Sequence, residues 1–218
     1  MPNLAKVDRF QIEREHRARG LLRLAGIDEA GRGPLAGPVV AAAAILPEEW
    51  VDAGIPESLQ RLNDSKRLTE KVREELFNLI EDARAIKFGI SIVDAGIIDQ
   101  INILQATHRA MNDALSQLNP EPHHVLVDGN FVNTLTMSQT AIVKGDSKSF
   151  SIAAASILAK VTRDRLMCEF HKNWPEYGFV SHKGYGTAAH LEAIAAHGPC
   201  PIHRRSFAPL RTAQPELF

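Results

Sequence analysis

Three apolar runs in this chain of 218 residues end in carboxylates. Leu24-Ala-Gly-Ile27 leads into Asp28-Glu29, Val125-Leu-Val127 into Asp128-Gly129, and Ala141-Ile-Val143 into Lys144-Gly145-Asp146. Each run reads as a buried strand, so each carboxylate stands at or just past a strand end, with glycine within a residue or two. In open α/β sheets, ligand and catalytic groups gather at such ends. Carboxylates brought together there repel one another unless a proton or a cation lies between them. No cysteine or histidine stands beside them at ligand spacing, so the ligands are hard oxygens, which favour Mg²⁺ or Mn²⁺. One such aspartate alone is equally well a turn cap. Three runs with the same ending, and Glu29 beside the first, make the stronger pattern.

The segment after Asp28 runs Gly31-Arg32-Gly33-Pro34-Leu-Ala36-Gly37-Pro38. Gly31-x-Gly33-x-x-Ala36 formally fits a dinucleotide-binding fingerprint, but that fingerprint must open a helix. Here Gly37-Pro38 and a β-like Val39-Val40 follow at once, and no Gly-Lys-Ser/Thr phosphate loop occurs. The segment reads instead as a loop whose backbone can approach a substrate closely, with Arg32 ready to meet a phosphate.

The elements that must position these groups alternate between strand-like and helical periods, the grammar of an α/β domain. Strands are predicted over Leu21–Asp28, Val39–Leu46, Ile86–Val93, His124–Asp128 and Thr140–Lys144. Thr69 reads as the N-cap of a helix with an apolar stripe of Val72, Leu76, Leu79, Ile80 and Ala83. Further helices are predicted over Ile101–Leu118, closed by Asn119-Pro120, over Phe150–Phe170, and near Thr187–His197, stopped by Gly198-Pro199. The first half of the Phe150–Phe170 helix is rich in small residues and suits close packing on a sheet. The first two strands join without a helix, so they are expected to be antiparallel neighbours in a mixed sheet.

Composition narrows the class. Hydrophobic residues make up 44% and charged residues 23%, enough for a core and unlike a disordered or collagen-like chain. The longest nearly apolar run, Pro34 to Pro47, falls short of the roughly 20 residues of a bilayer span. Residues 1–20 are dense in Arg and Glu and lack the apolar stretch of a secretory leader. Cys168 and Cys200 form no CxxC pair, so no disulfide framework or zinc knuckle is expected, and a cytoplasmic setting is. Residues 1–143 carry a net charge of −5 and residues 144–211 one of +5, an asymmetry that ordinary surface variation also produces. The expected organisation is one domain over 1–218, a monomer, with 1–20 as an N-terminal extension and 212–218 as a mobile tail.

The segment from Gly26 to Val39 strongly resembles the first motif of the ribonuclease HII family (type 2 ribonucleases H). Further matches follow in family order: Asp64-Ser65-Lys66, Val127-Asp128-Gly129, the long run from Lys144 to Asp164, His182-Lys-Gly-Tyr185-Gly-Thr187, and His203-Arg204-Arg205-Ser206-Phe207. The resemblance covers about Gly26 to Pro209. It implies a ribonuclease H-like fold: a five-stranded mixed sheet flanked by helices, with a helical C-terminal part. It implies hydrolysis of the RNA strand of RNA–DNA hybrids and cleavage on the 5′ side of a single ribonucleotide embedded in duplex DNA. The family's metal-site carboxylates fall on Asp28, Glu29, Asp128 and Asp146, its substrate loop on Gly31-Arg32-Gly33, and its junction-sensing tyrosine on Tyr185.

For that chemistry, two divalent ions about 3.5–4 Å apart would activate the attacking water and stabilise the leaving 3′-oxygen, giving 3′-hydroxyl and 5′-phosphate ends. The ribose 2′-OH then identifies the nucleotide. A rival route, with the 2′-OH as nucleophile and a histidine pair as acid and base, finds no histidines marked out by their setting. His123-His124 reads as a surface turn, and His182 and His203 as phosphate positioners or packing residues. Lys66, Lys144, Lys148, Arg163, Arg204 and Arg205 are candidate phosphate contacts, about half of them plain surface charges. Lys160 and Arg163 could instead orient carboxylates. Two other readings are a different two-metal nuclease of the same fold class and a hybrid-binding protein without catalysis. Beyond the matched region, Gln214-x-x-Leu217-Phe218 resembles the short peptide by which replication and repair proteins dock on the bacterial sliding clamp.

Overall fold

A computed structural model describes residues 8–211. Its sheet holds β1 (Leu24–Ala30), β2 (Val39–Ile45), β3 (Lys87–Val93), β4 (His124–Asp128) and β5 (Gln139–Ile142), in the order β3-β2-β1-β4-β5. β2 runs antiparallel to β1 and β3, whereas β1, β4 and β5 run parallel. The expected mixed five-stranded sheet is therefore present. Among the described residues the helices are α1 (Gln11–Arg17), α2 (Glu48–Ala53), α3 (Glu70–Asp82), α4 (Ala95–Leu115), α5 (Phe150–Asn173), α6 (Phe179–His182) and α7 (Ala188–His197).

Helices cover both faces of the sheet, and β2 is buried along its whole length. Alternate residues of a strand face opposite sides. Val40, Ala42 and Ala44 accordingly pack towards α3 and α5, while Val39, Ala41 and Ala43 pack towards α4. α5 crosses β1 so closely that a Cβ on Gly26 would lie 2.1 Å from the Ser151 carbonyl carbon. Ala153, Ala154, Ala155, Ser156 and Ala159 are all buried at that crossing, which explains their size. α6 and α7 pack on the far end of α5 around Met167, Tyr177, Phe179 and Cys200. No helix among the described residues is long and apolar enough to cross a membrane.

The structure departs from the sequence expectation in identifiable ways. Leu79 is 38% exposed, and Phe77 takes the buried place next to Leu76 and Ile80. α4 starts at Ala95 instead of Ile101 because Asp94 caps it, accepting from the Ile97 N–H at 2.9 Å. It passes through a break at Asn102 (φ 65°), whose side chain caps the restarted helix at Leu104 and Gln105. β5 stops at Ile142, leaving Val143 exposed and Lys144 in a left-handed conformation (φ 56°).

α1 has no counterpart in the sequence reading, and His124, read there both as the start of a buried strand and as part of a surface turn, takes the place in the strand. His124 lies inside β4, not in a surface turn. Its Nδ1 is 2.8 Å from Ser138 Oγ and its Nε2 2.9 Å from Thr140 Oγ1. The same Thr140 oxygen is 3.1 Å from Nε2 of His16 on α1, and the two rings lie 4.5 Å apart. Burial, then the neighbouring His16, hold His124 down to about 4. The unfolded chain therefore binds a proton here that the folded chain refuses, and stability is lost as pH falls from about 6.5 to about 4. Urea denaturation across that window should show a falling midpoint, with a shallower slope in His124→Gln. An unchanged slope would mean that His124 does not govern the acid limb.

Candidate active site

The carboxylates are brought together by strand pairing. Ile27 pairs with Val127 in the parallel ladder of β1 and β4, so Asp28 and Asp128 follow at the same level on adjacent strands. Asp28 is 7% exposed beneath α5, and its Oδ1 accepts from the Glu29 N–H at 2.7 Å. Burial first, then the charges of Glu29 and Asp128, push its carboxyl well above the usual range, against a hydrogen bond from Ser156. Burial also raises Glu29, opposed by the Arg32 guanidinium 3.3 Å away and by Lys66. Asp146 is likewise raised, by burial and then by Asp128 and Asp64. The charge of Asp128 thus acts on Asp28, Glu29 and Asp146 alike.

The turn carrying Asp146 is fastened to the end of β4. The Gly145 N–H donates to Asp128 Oδ1 at 2.6 Å. A Cβ at Gly145 would lie 2.5 Å from Ile152 Cδ1 and 3.2 Å from Asp128 Oδ1, so a side chain there would press on both. Oδ1 of Asp28 and Oδ1 of Asp128 are thus engaged by backbone donors, and one Glu29 oxygen by Arg32. Among the described residues, no three such side chains are already closed around one point.

A cleft of about 530 Å³ joins Asp28 and Glu29 to Gly31, Arg32, Gly33, Lys66 and Tyr185. Asp128 lines a smaller neighbouring hollow that shares Glu29 and Arg32. Asp146 lines neither and reaches the site through its contact with the end of β4. Tyr185 is 47% exposed, and its ring would lie 3.7 Å from a Cβ on Gly33, so the loop glycine and the tyrosine form one wall. Gly31 holds φ 93°, and a Cβ there would strike the Arg163 side chain at 2.0 Å.

Sequence reasoning placed Arg163 and Arg204 among candidate phosphate contacts, but both are buried. Arg163 donates to the carbonyls of Pro38 (2.9 Å), Ala36 (3.0 Å) and Lys183 (3.0 Å). Arg204 donates to those of Gly31 (2.5 Å), Arg32 (2.9 Å) and Gly37 (2.9 Å). Together they tie the glycine loop to the Tyr185 loop. Burial lowers Arg163 to about 10, and burial with the Arg163 charge lowers Arg204 to about 9, leaving both protonated at neutral pH. His203 is a packing residue, 3.0 Å from His190 and held at about 4 by burial and that neighbour. His182 stacks on His190 with its Nε2 2.8 Å from the Tyr177 carbonyl. Lys160 pairs with Asp164 at 2.7 Å at the edge of the cleft. Lys144, Lys148 and Arg205 remain at the surface.

Arg73 and Ser156, which also line the cleft, were not singled out as site residues. Arg73 on α3 donates to the carbonyls of Ser65 (3.1 Å) and Leu68 (2.6 Å) and lies 3.6 Å from Asp164. Ser156 Oγ lies 2.9 Å from Ser65 Oγ. The available signal was their helical spacing, Arg73 four residues after the Thr69 cap and Ser156 among alanines, and it marks a face without marking a role.

The Ribonuclease HII family profile matches residues 25–210. A ribonuclease HII of Geotalea daltonii is 57% identical over 191 residues, covering 88% of this chain and 85% of its own. The ribonuclease H2 of Pyrococcus horikoshii superposes with a TM-score of 0.71 at 29% identity, over 87% of this chain and 95% of that one. A ribonuclease HII of Archaeoglobus fulgidus, solved in complex with PCNA, superposes with a TM-score of 0.68 at 25% identity, over 90% and 98%. With carboxylates converging at the ends of β1 and β4, a glycine loop beside Tyr185, and this extent of similarity, the chain belongs to the ribonuclease HII family of metal-dependent ribonucleases.

Proposed function

We propose that the protein hydrolyses the RNA strand of RNA–DNA hybrids and cuts on the 5′ side of a single ribonucleotide embedded in duplex DNA, using two divalent ions, Mn²⁺ or Mg²⁺, and leaving 3′-hydroxyl and 5′-phosphate ends. The observation that carries this reading is that one cleft joins Asp28 and Glu29, under the charge of Asp128, to a glycine loop and an exposed tyrosine. The donor set fits such ions. It is hard oxygen throughout, and the raised proton affinities of Asp28, Glu29 and Asp146, due first to burial and then to neighbouring carboxylates, are ones that a bound cation would lower.

Asp28, Glu29, Asp128 and Asp146 would hold the metal. When bound, divalent ions supply activation of the attacking water and stabilisation of the leaving oxygen. The protein's own groups do the rest. Gly31-Arg32-Gly33 presents backbone to the ribose 2′-OH, with no side chain at Gly31 or Gly33 to intervene. Arg204, holding the Gly31 and Arg32 carbonyls from behind, keeps that loop in shape. Tyr185 offers its ring to the sugar next to the ribonucleotide, and Arg32 and Lys66 meet phosphates.

A second element of the proposal concerns the tail. Gln214–Phe218 lies outside the described residues, and we propose that it docks on a sliding clamp, with Leu217 and Phe218 as apolar anchors. The Archaeoglobus relative solved with PCNA supports this reading.

Three outcomes test the proposal. Asp128→Asn should lower kcat on a duplex carrying one ribonucleotide by about a thousandfold or more while leaving the metal-free protein at least as stable. Near-wild-type cleavage would rule out the carboxylate assignment. Tyr185→Ala should slow cleavage at the lone ribonucleotide more than it weakens duplex binding, and rates unchanged from wild type on both lone-ribonucleotide and all-RNA hybrid substrates would make Tyr185 structural. Deleting Gln214–Phe218 should abolish clamp binding in a calorimetric titration without altering cleavage of short duplexes. No binding by the intact chain at tens of micromolar, a generous limit for a short peptide, would end the tail reading.

A further inference from the structure

Residues 9–16 precede the family match, which begins at residue 25. They nevertheless pack against both loops that carry site residues. Arg9 Nη2 donates to the backbone carbonyl of Asp146 at 2.6 Å, and its Nη1 donates to the carbonyl of Leu62, at the start of the loop that leads through Asp64 to Lys66. The same guanidinium lies 4.3 Å from the centre of the Phe150 ring, and the Arg9 carbonyl accepts from the Phe150 N–H at 3.3 Å. Phe10 is buried beside Phe150, with ring centres 4.9 Å apart. One side chain thus bridges the Asp146 turn and the Lys66 loop.

Glu13, one helical turn further on, is 1% exposed. Its Oε1 accepts from Ser149 Oγ at 2.6 Å and Ser151 Oγ at 3.0 Å. Ser149 is the N-cap of α5 and accepts from the Ile152 N–H at 3.2 Å. A serine hydroxyl has a single proton. Committing it to Glu13 leaves the oxygen lone pairs for the cap. The turn is therefore held at the Asp146 carbonyl by Arg9 and at its exit by Glu13, while its other side carries a carboxylate repelled by Asp128 and Asp64. Burying a glutamate behind a turn is costly unless its bonds are made, so Glu13 should hold its two serine partners firmly, while the half-buried Arg9 holds its two carbonyls by charge-assisted bonds.

We propose that Arg9 and Glu13 are positioning residues that lock the Asp146 turn and the 62–66 loop together and so set how tightly the carboxylate cluster binds divalent metal. This rests on the metal-site reading of the cluster. The test uses the full chain with Mn²⁺ as the probe. It reads Mn²⁺ affinity by calorimetry without substrate, amide hydrogen exchange of the metal-free protein, and kcat and KM on a duplex with one ribonucleotide. Arg9→Ala should weaken Mn²⁺ binding by about tenfold, the scale of one charge-assisted hydrogen bond. It should also speed exchange at residues 62–66 and 144–149, and lower kcat at limiting Mn²⁺, with recovery at saturating Mn²⁺ and an unchanged KM for the duplex. Glu13→Ala should behave alike. Glu13→Gln should stay near wild type, because the amide oxygen still accepts both hydroxyls and the replaced Oε2 has no partner among the described residues.

Leu115→Ala, in the core on the other face of the sheet, is the control for lost stability alone. If Arg9→Ala merely lowers Tm as Leu115→Ala does, with Mn²⁺ affinity and loop exchange unchanged, the inference is overturned. Should Arg9→Ala fail to fold, Arg9→Lys, which keeps the charge but cannot span two carbonyls, is judged by the same criteria. Absence of Mn²⁺ binding by the wild type would defeat the metal reading itself, whereas equal binding by wild type and variant would defeat only the positioning role.

Discussion

Repulsion among Asp28, Glu29, Asp128 and Asp146 is the constraint that the rest of the structure answers to. Like charges in a partly buried site lower stability, by about 1.4 kcal/mol for each pKa unit by which the charged form is disfavoured. The fold tolerates this because each carboxylate sits on an element fixed by other forces. β1 is buried in the centre of the sheet and β4 is hydrogen-bonded to it along its length. The Asp146 turn is fastened to the end of β4 by the Gly145 N–H. α5 closes the site from above, and its run of alanines lets a helix approach β1 within contact of Gly26.

Positive charge is divided between two tasks. Arg163 and Arg204 are buried and bind only neutral carbonyls of the glycine loop and its neighbours. Their guanidinium forks satisfy several backbone acceptors that a turn leaves unpaired, which a lysine's compact ammonium would do less well. Arg32 and Lys66 stay accessible near the carboxylates and lower the proton affinity of Glu29. The basic character of the C-terminal third is therefore only partly a surface property: two of its cations are structural braces for the loop that would read the ribose.

Much of this protein could be read from its sequence. Continuous apolar runs, the Thr69 cap and the alanine-rich stretch after Phe150 report local preferences, and local preferences survive in the fold. The carboxylates at the strand ends were visible for the same reason, and the order of the matched motifs pointed to the family. What could not be read were the partners of groups distant in the chain. Whether Arg163 faces a phosphate or the Pro38 carbonyl depends on a contact across 125 positions. Whether His124 forms a turn or a buried pair depends on Thr140 and on His16 from a helix that carries no strong periodicity of its own. Periodicity reports which face of an element is apolar, but the burial that shifts a proton affinity or strips a cation of water is created only when distant elements close on one another.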